Sequence, residues 1–130
     1  MQLDIPTMFA VIIATTLVLA LSVAVVAGQQ DHGGLRPFIG ALVLHSLAYT
    51  LFALRGRIPD VLSVWLANVV VSVLYALMLQ AIADFQQRRL AHWQLYAPIA
   101  VIACSFAVLG ANLPARVAVG SAVFLFQACL

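Results

Sequence analysis

The chain has 130 residues, 65% of them hydrophobic and only 8% charged. A soluble domain carries about 25% charged residues, because water has to solvate its surface, so this composition excludes water as the main solvent. The net charge of +2 is too weak for a nucleic-acid partner, and no basic patch is present to bind one.

The placement of the charges sharpens that reading. Asp4, Asp31, Arg36, Arg55, Arg57, Asp60, Asp84, Arg88, Arg89 and Arg116 all fall between apolar stretches. A charge at a bilayer centre costs roughly 3 kcal/mol or more, so helices facing lipid exclude them. The expected fold is all-α: a polytopic transmembrane helical bundle of four full spans plus a partial fifth, forming a single membrane domain over residues 1–130.

A helix that crosses a hydrocarbon core of ~30 Å needs about 20 apolar residues, and Ile5–Gly28 supplies the first. Its end, Ala-Val-Val-Ala-Gly, resembles a signal-peptide cleavage site. The residues before it are Met-Gln-Leu-Asp, acidic where a signal peptide is basic, and the apolar run is too long for a signal core. It reads as a retained span. The second span is Pro37–Leu54, with Pro37 in the first turn, where its missing N–H costs nothing. Val61–Ala83 is the third. There Pro59 enforces an extended entry, and Asp60 is expected to cap the first turn at the positive end of the helix dipole.

The fourth span is Leu95–Leu113, with Trp93 and Tyr96 at the headgroup level and Pro98 within its first turn. Pro114 to Arg116 reads as a turn. Val117–Leu130 follows as an apolar run of only about 20 Å, so the chain reads as stopping inside a fifth span. It is either a piece of a longer protein or a bundle with a half-span at its end, and the cost of unsatisfied helix ends in lipid favours the first.

Polar side chains inside spans usually face protein or water. His45, Tyr49 and Phe52 share one face of the second span, and Asn68, Ser72 and Tyr75 share one face of the third. The functional reading is that these faces meet around a small polar cavity for a ligand or a proton, making His45, Tyr49, Asn68, Ser72 and Tyr75 the candidate ligand-binding residues. The bland reading is ordinary interhelical hydrogen bonding, worth about 0.6 kcal/mol per bond. Imidazole is the side chain suited to proton exchange near neutral pH, but no span holds a carboxylate to complete a relay. Arg55, Pro59 and Asp60 are candidates for a structural turn. Ala20, Ala24 and Gly28, and likewise Ala103, Ala107 and Ala111, form small-residue ridges suited to close helix packing within one chain or in a homodimer. The segment from Asp84 to Trp93 is either a polar turn or a contact for anionic headgroups.

No catalytic motif is present. Cys104 and Cys129 lack metal-ligand spacing, the aspartates are too scattered for acid–base chemistry, and neither a metal nor a cofactor is expected. The positive-inside rule does not decide sidedness from arginines alone. Arg36, Arg88 and Arg89 are cytoplasmic if the N-terminus is outside; Arg55, Arg57 and Arg116 are cytoplasmic if it is inside. His92 beside Arg88 and Arg89 tips the balance outward.

The stretch Leu54-Arg-Gly-Arg-Ile-Pro-Asp-Val-Leu-Ser-Val-Trp-Leu-Ala-Asn68 resembles the multi-span membrane sensor region of bacterial GGDEF-type diguanylate cyclases. Phe85-Gln-Gln-Arg-Arg89 is similar to the basic turn after the third span of those proteins. The resemblance covers Leu3 to Arg89 and is specific only over Leu54 to Asn68. It implies a signal-input module of the bacterial inner membrane with a periplasmic N-terminus, whose partners are the lipid bilayer and a C-terminal cytoplasmic GGDEF domain. This chain carries no GGDEF signature, so no cyclase activity is expected of it. A small transporter or channel, built on the polar faces, and a structural assembly partner, built on the alanine ridges, are the competing expectations.

Overall fold

A computed structural model describes residues 4–29, 33–109 and 112–130. Its helices are α1 (Ile5–Gln29), α2 (Leu35–Ala53), α3 (Ala67–Phe85), which continues without a break from a π-helical entry over Val61–Leu66, α4 (His92–Val108) and α5 (Leu113–Cys129). Three of these, Ile5–Gln29, Leu35–Ala53 and Ser63–Phe85, are long and apolar enough to cross a membrane. Large apolar side chains such as Leu21, Val25, Val18 and Ile82 stand exposed on them. A contiguous apolar exterior of this kind is suited to lipid contact rather than to water.

Helices α1, α2 and α3 form an up–down–up unit with α2 in the middle. A Cβ at Gly34 would come within 2.9 Å of the Ala81 carbonyl and 2.8 Å of the Phe85 ring, and one at Gly40 within 3.3 Å of Leu77. The start of α2 therefore lies against the end of α3, and the two run antiparallel. The seam between and around them is built from small residues: Ala41, Ser46 and Ala48 on α2, and Ala67, Ser72, Ala76, Ala81 and Ala83 on α3, are all buried. In lipid, where burying a leucine gains little, association depends on how closely backbones can approach. Among the described residues, helix α1 touches α2 alone, whereas α3 also touches α4 and α5. The indole of Trp65 ties α3's entry to α4 by donating to the Ala103 carbonyl at 3.1 Å.

Several expected details change. The fourth helix begins at His92 rather than Leu95, because the Ala91 N–H donates to Gln94 Oε1 at 3.1 Å and starts the first turn early. Pro98 consequently lies inside the helix instead of in its first turn. The helix also ends at Val108, not Leu113. Pro114 to Arg116 is the opening of α5 rather than a separate turn: Asn112 Oδ1 accepts from the Ala115 N–H at 3.5 Å, and Pro114 occupies the first turn. The last two helices thus come out equal, at 17 residues each. Four full spans plus a partial fifth are therefore not confirmed: among the described residues, three helices are long and apolar enough to cross a membrane.

Asp60 makes no side-chain capping bond and is itself helical in its backbone. The Pro59 carbonyl starts the helix instead, accepting from the Ser63 N–H at 3.1 Å. The turn before it is closed by Arg57 N–H donating to the Leu54 carbonyl at 2.9 Å and by a bridge between Arg55 and Ile58. Gly56 supplies the φ of +88° that a side chain would resist.

The alanine ridges also fare differently from expectation. Ala20 is buried, but a Cβ at Gly28 would meet nothing within 4 Å, so no close approach demands that glycine. Ala107 is exposed and Ala111 lies outside the described residues. The close seam is the one around Gly34 and Gly40.

Candidate functional site, a groove between α1 and α3

Because α1 leans on α2 only, a groove of about 1420 Å³ opens between α1 and α3, with α2 as its floor and the end of α5 on its rim. His45, Tyr49, Asn68 and Tyr75 all line it. Ser72 does not: its side chain is fully buried, with Oγ lacking a partner, and what it offers its surroundings is its backbone carbonyl. Gln127 of α5 donates to that carbonyl at 3.3 Å.

The register sets the height of each group. Pairing Gly34 with Ala81–Phe85 and Gly40 with Leu77, and extending the antiparallel match, brings His45 level with Ser72. On the other side His45 meets Thr16, halfway along α1. Thr16 and His45, at mid-length of α1 and α2, form a polar belt with Gln127, which reaches the Ser72 level from the last turn of α5, and with Asn68, one helical turn before Ser72 on α3. Thr16 spends its one proton on the Ile12 carbonyl at 2.7 Å, so in its 3.3 Å contact with His45 Nδ1 it accepts. A neutral His45 then carries its proton on Nδ1 and leaves Nε2 as an acceptor. Asn68 sits where the π turn becomes α, and its Nδ2 donates to the Val64 carbonyl at 2.7 Å.

The two halves of the groove differ in lining. Toward Arg55 the walls are aromatic: Phe9 and Phe52 flank Tyr49 at ring distances of 5.9 and 6.5 Å, and His45 meets Tyr49 edge-on at 4.6 Å. Toward Arg88 they are mainly aliphatic, with Leu19, Leu42, Met78, Leu79 and Ile82. Each end thus carries an arginine and the middle carries polar groups without a formal carboxylate, lysine or arginine. Among the described residues, no group of three or more His, Cys, Asp or Glu side chains is placed to hold a metal.

Periodicity in the second and third spans was enough to find four groove residues. Thr16, Phe9 and Gln127 were missed, although a threonine or glutamine inside an apolar run is itself a signal. What the sequence could not supply was which helices face each other. Compared with protein-family models, curated proteins and solved structures, the chain matches none.

Proposed function

We propose that this chain is a membrane-embedded signal-input module that takes a lipid-soluble ligand into the α1–α3 groove and reports occupancy through the pose of α1. The observation that carries the reading is the groove itself: large, belted with polar groups part-way along, and walled on one side by a helix that, among the described residues, touches a single neighbour. Ligand sites inside helical membrane proteins are built from inward-facing side chains at this depth. A wall held by one interface is also the element a ligand can shift at least cost.

The likeness of Leu54–Asn68 to GGDEF-type sensor regions supports signalling over transport. In that arrangement the reader of the shift is a cytoplasmic cyclase domain joined after the last span, and the Arg88 end of the groove faces the cytoplasm of a bacterial inner-membrane protein. One observation favours the second reading, a transporter: the groove's lining runs from Arg55 at one end of α3 to Arg88 at the other. Solute uptake into proteoliposomes separates the two, since a sensor gives none.

The site is tested by photocrosslinking in living bacterial membranes, with benzoylphenylalanine at Met78 inside the groove or at Val18 on the exposed face of α1. A discrete small-molecule adduct, seen by mass spectrometry at Met78 and missing at Val18, is the expected result. The same mixture of bulk-lipid adducts at both positions would show that the groove holds nothing selected.

A further inference from the structure

From the Arg88 end of the groove we infer its ligand class: an anionic membrane lipid, with its headgroup on Arg88 and one acyl chain lying in the aliphatic half. The inference rests on the groove being a binding site, as proposed above, and adds what occupies it. Three features point the same way.

The first is charge. Arg88 lines the groove and Arg89 follows it in an exposed turn, whereas no acidic residue among those described lines the groove. The second is how Arg88 is held. At the end of α3 the Gln87 N–H donates to the Asp84 carbonyl at 3.2 Å and the Arg88 N–H to the Ala83 carbonyl at 2.8 Å, with Gln87 at a φ of 54°. This is a Schellman closure. It fixes the direction in which the chain leaves the helix and so holds Arg88 at the groove mouth rather than on a free tail. Trp93 and Tyr96, both exposed at the start of the next helix, mark the same level as interfacial.

The third is length. From Arg88 the lining passes Ile82, Leu79 and Met78 and reaches Leu74 and Tyr75 just below the polar belt; from the end of α3 at Phe85 to Leu74 this is about 16 Å of helical rise. One leaflet of a ~30 Å hydrocarbon core is about 15 Å deep. The aliphatic half therefore matches an acyl chain that starts at the headgroup layer and ends at the midplane, where Thr16, His45, Asn68 and Gln127 end the aliphatic lining. The aromatic half beyond the belt has a different lining and is not part of this site.

The test uses the full chain, titrated with palmitoyl-oleoyl phosphatidylglycerol or the matching phosphatidylcholine and read by native mass spectrometry as lipid retained per protein. The expected result is one retained phosphatidylglycerol, bound more tightly than phosphatidylcholine. Arg88→Gln should weaken phosphatidylglycerol about fivefold, the worth of one cation near a membrane surface, and erase the preference over phosphatidylcholine. Arg57→Gln, at the other end of α3 and outside the groove, should change neither. Both substitutions lie in exposed turns, so folding is not at stake.

An unchanged preference in Arg88→Gln, or an equal loss in Arg57→Gln, would overturn the headgroup assignment. Oleate binding tightly where phosphatidylglycerol does not would overturn it in favour of a free carboxylate. Met78→Trp, which fills the aliphatic half, separates this inference from its foundation. If it expels lipids of both headgroups while Arg88→Gln does nothing, the groove binds lipid without reading its charge. If it expels none, the groove is not the site at all.

Discussion

Helices α1 and α3 are both apolar enough to cross a membrane, yet they relate to the rest of the protein in opposite ways. The most hydropathic window belongs to α1, whose buried residues among those described are Thr16 and Ala20. Less hydropathic α3 buries Ala67, Val70, Ser72, Leu74, Ala76, Ala81 and Ala83. In water the order would be reversed, with the greasiest helix innermost. Hydrocarbon removes that ranking, because a leucine facing lipid is already in an apolar medium. What decides burial is how many backbone atoms can come into van der Waals contact, and small residues permit more. High hydropathy here marks the outside.

The contrast can be broken most forcefully at Gly34. Gly34→Ala drives a Cβ into the Ala81 carbonyl and the Phe85 ring. Backbone on one side cannot yield as a side chain does, so overpacking at the upper end of its range is expected, about 3 kcal/mol. Unfolding in mixed micelles followed by circular dichroism measures it, and a loss within error of zero would mean that α2 and α3 are not seated as described.

A matched pair of substitutions sharpens the comparison. Ala48→Leu, at a fully buried position on α2, should cost about 2 kcal/mol by overpacking. Ala10→Leu adds the same atoms to an exposed site on α1 and should cost close to nothing. Equal costs in the same unfolding assay would show that α1 is packed as tightly as α2, against the contacts observed. The smallest effect belongs to the bond joining α1 to the polar belt. Thr16→Val removes the acceptor for His45 Nδ1, and such a bond inside a membrane protein is worth about 0.6 kcal/mol. A loss several times larger would mean that this bond, rather than the length of the α1–α2 contact, holds the helix in place.

The candidate site was half legible before the fold was seen. His45 and Tyr49, with Asn68 and Tyr75, follow from helical periodicity, since residues at i, i+4 and i+7 must share a face whatever surrounds them. Ser72 obeyed the same periodicity and still fell outside the groove, because a face shared within one helix is wide enough to meet two neighbours, and Ser72 sits on the edge buried at full depth. Gln127 joined the belt from a helix 55 positions away in sequence. No local pattern carries a contact at that separation.

The ends of the helices divide along the same line. Pro59 entering α3 and Pro37 in the first turn of α2 behave as proline's fixed φ and missing N–H require. The early start at Ala91 and Gln94 and the opening of α5 at Asn112 depended on single side-chain bonds that competing residues nearby could equally have made.

Composition and the spacing of charges were sufficient to establish that this chain is helical and suited to lipid. Those properties follow from the cost of placing each residue in hydrocarbon, a cost that is a sum over residues and needs no geometry. Which helix stands apart, where the groove opens and which arginines stand at its ends were settled only by packing. Packing depends on pairs of surfaces, and the small residues that let two backbones meet look alike wherever they occur until the partner is in place.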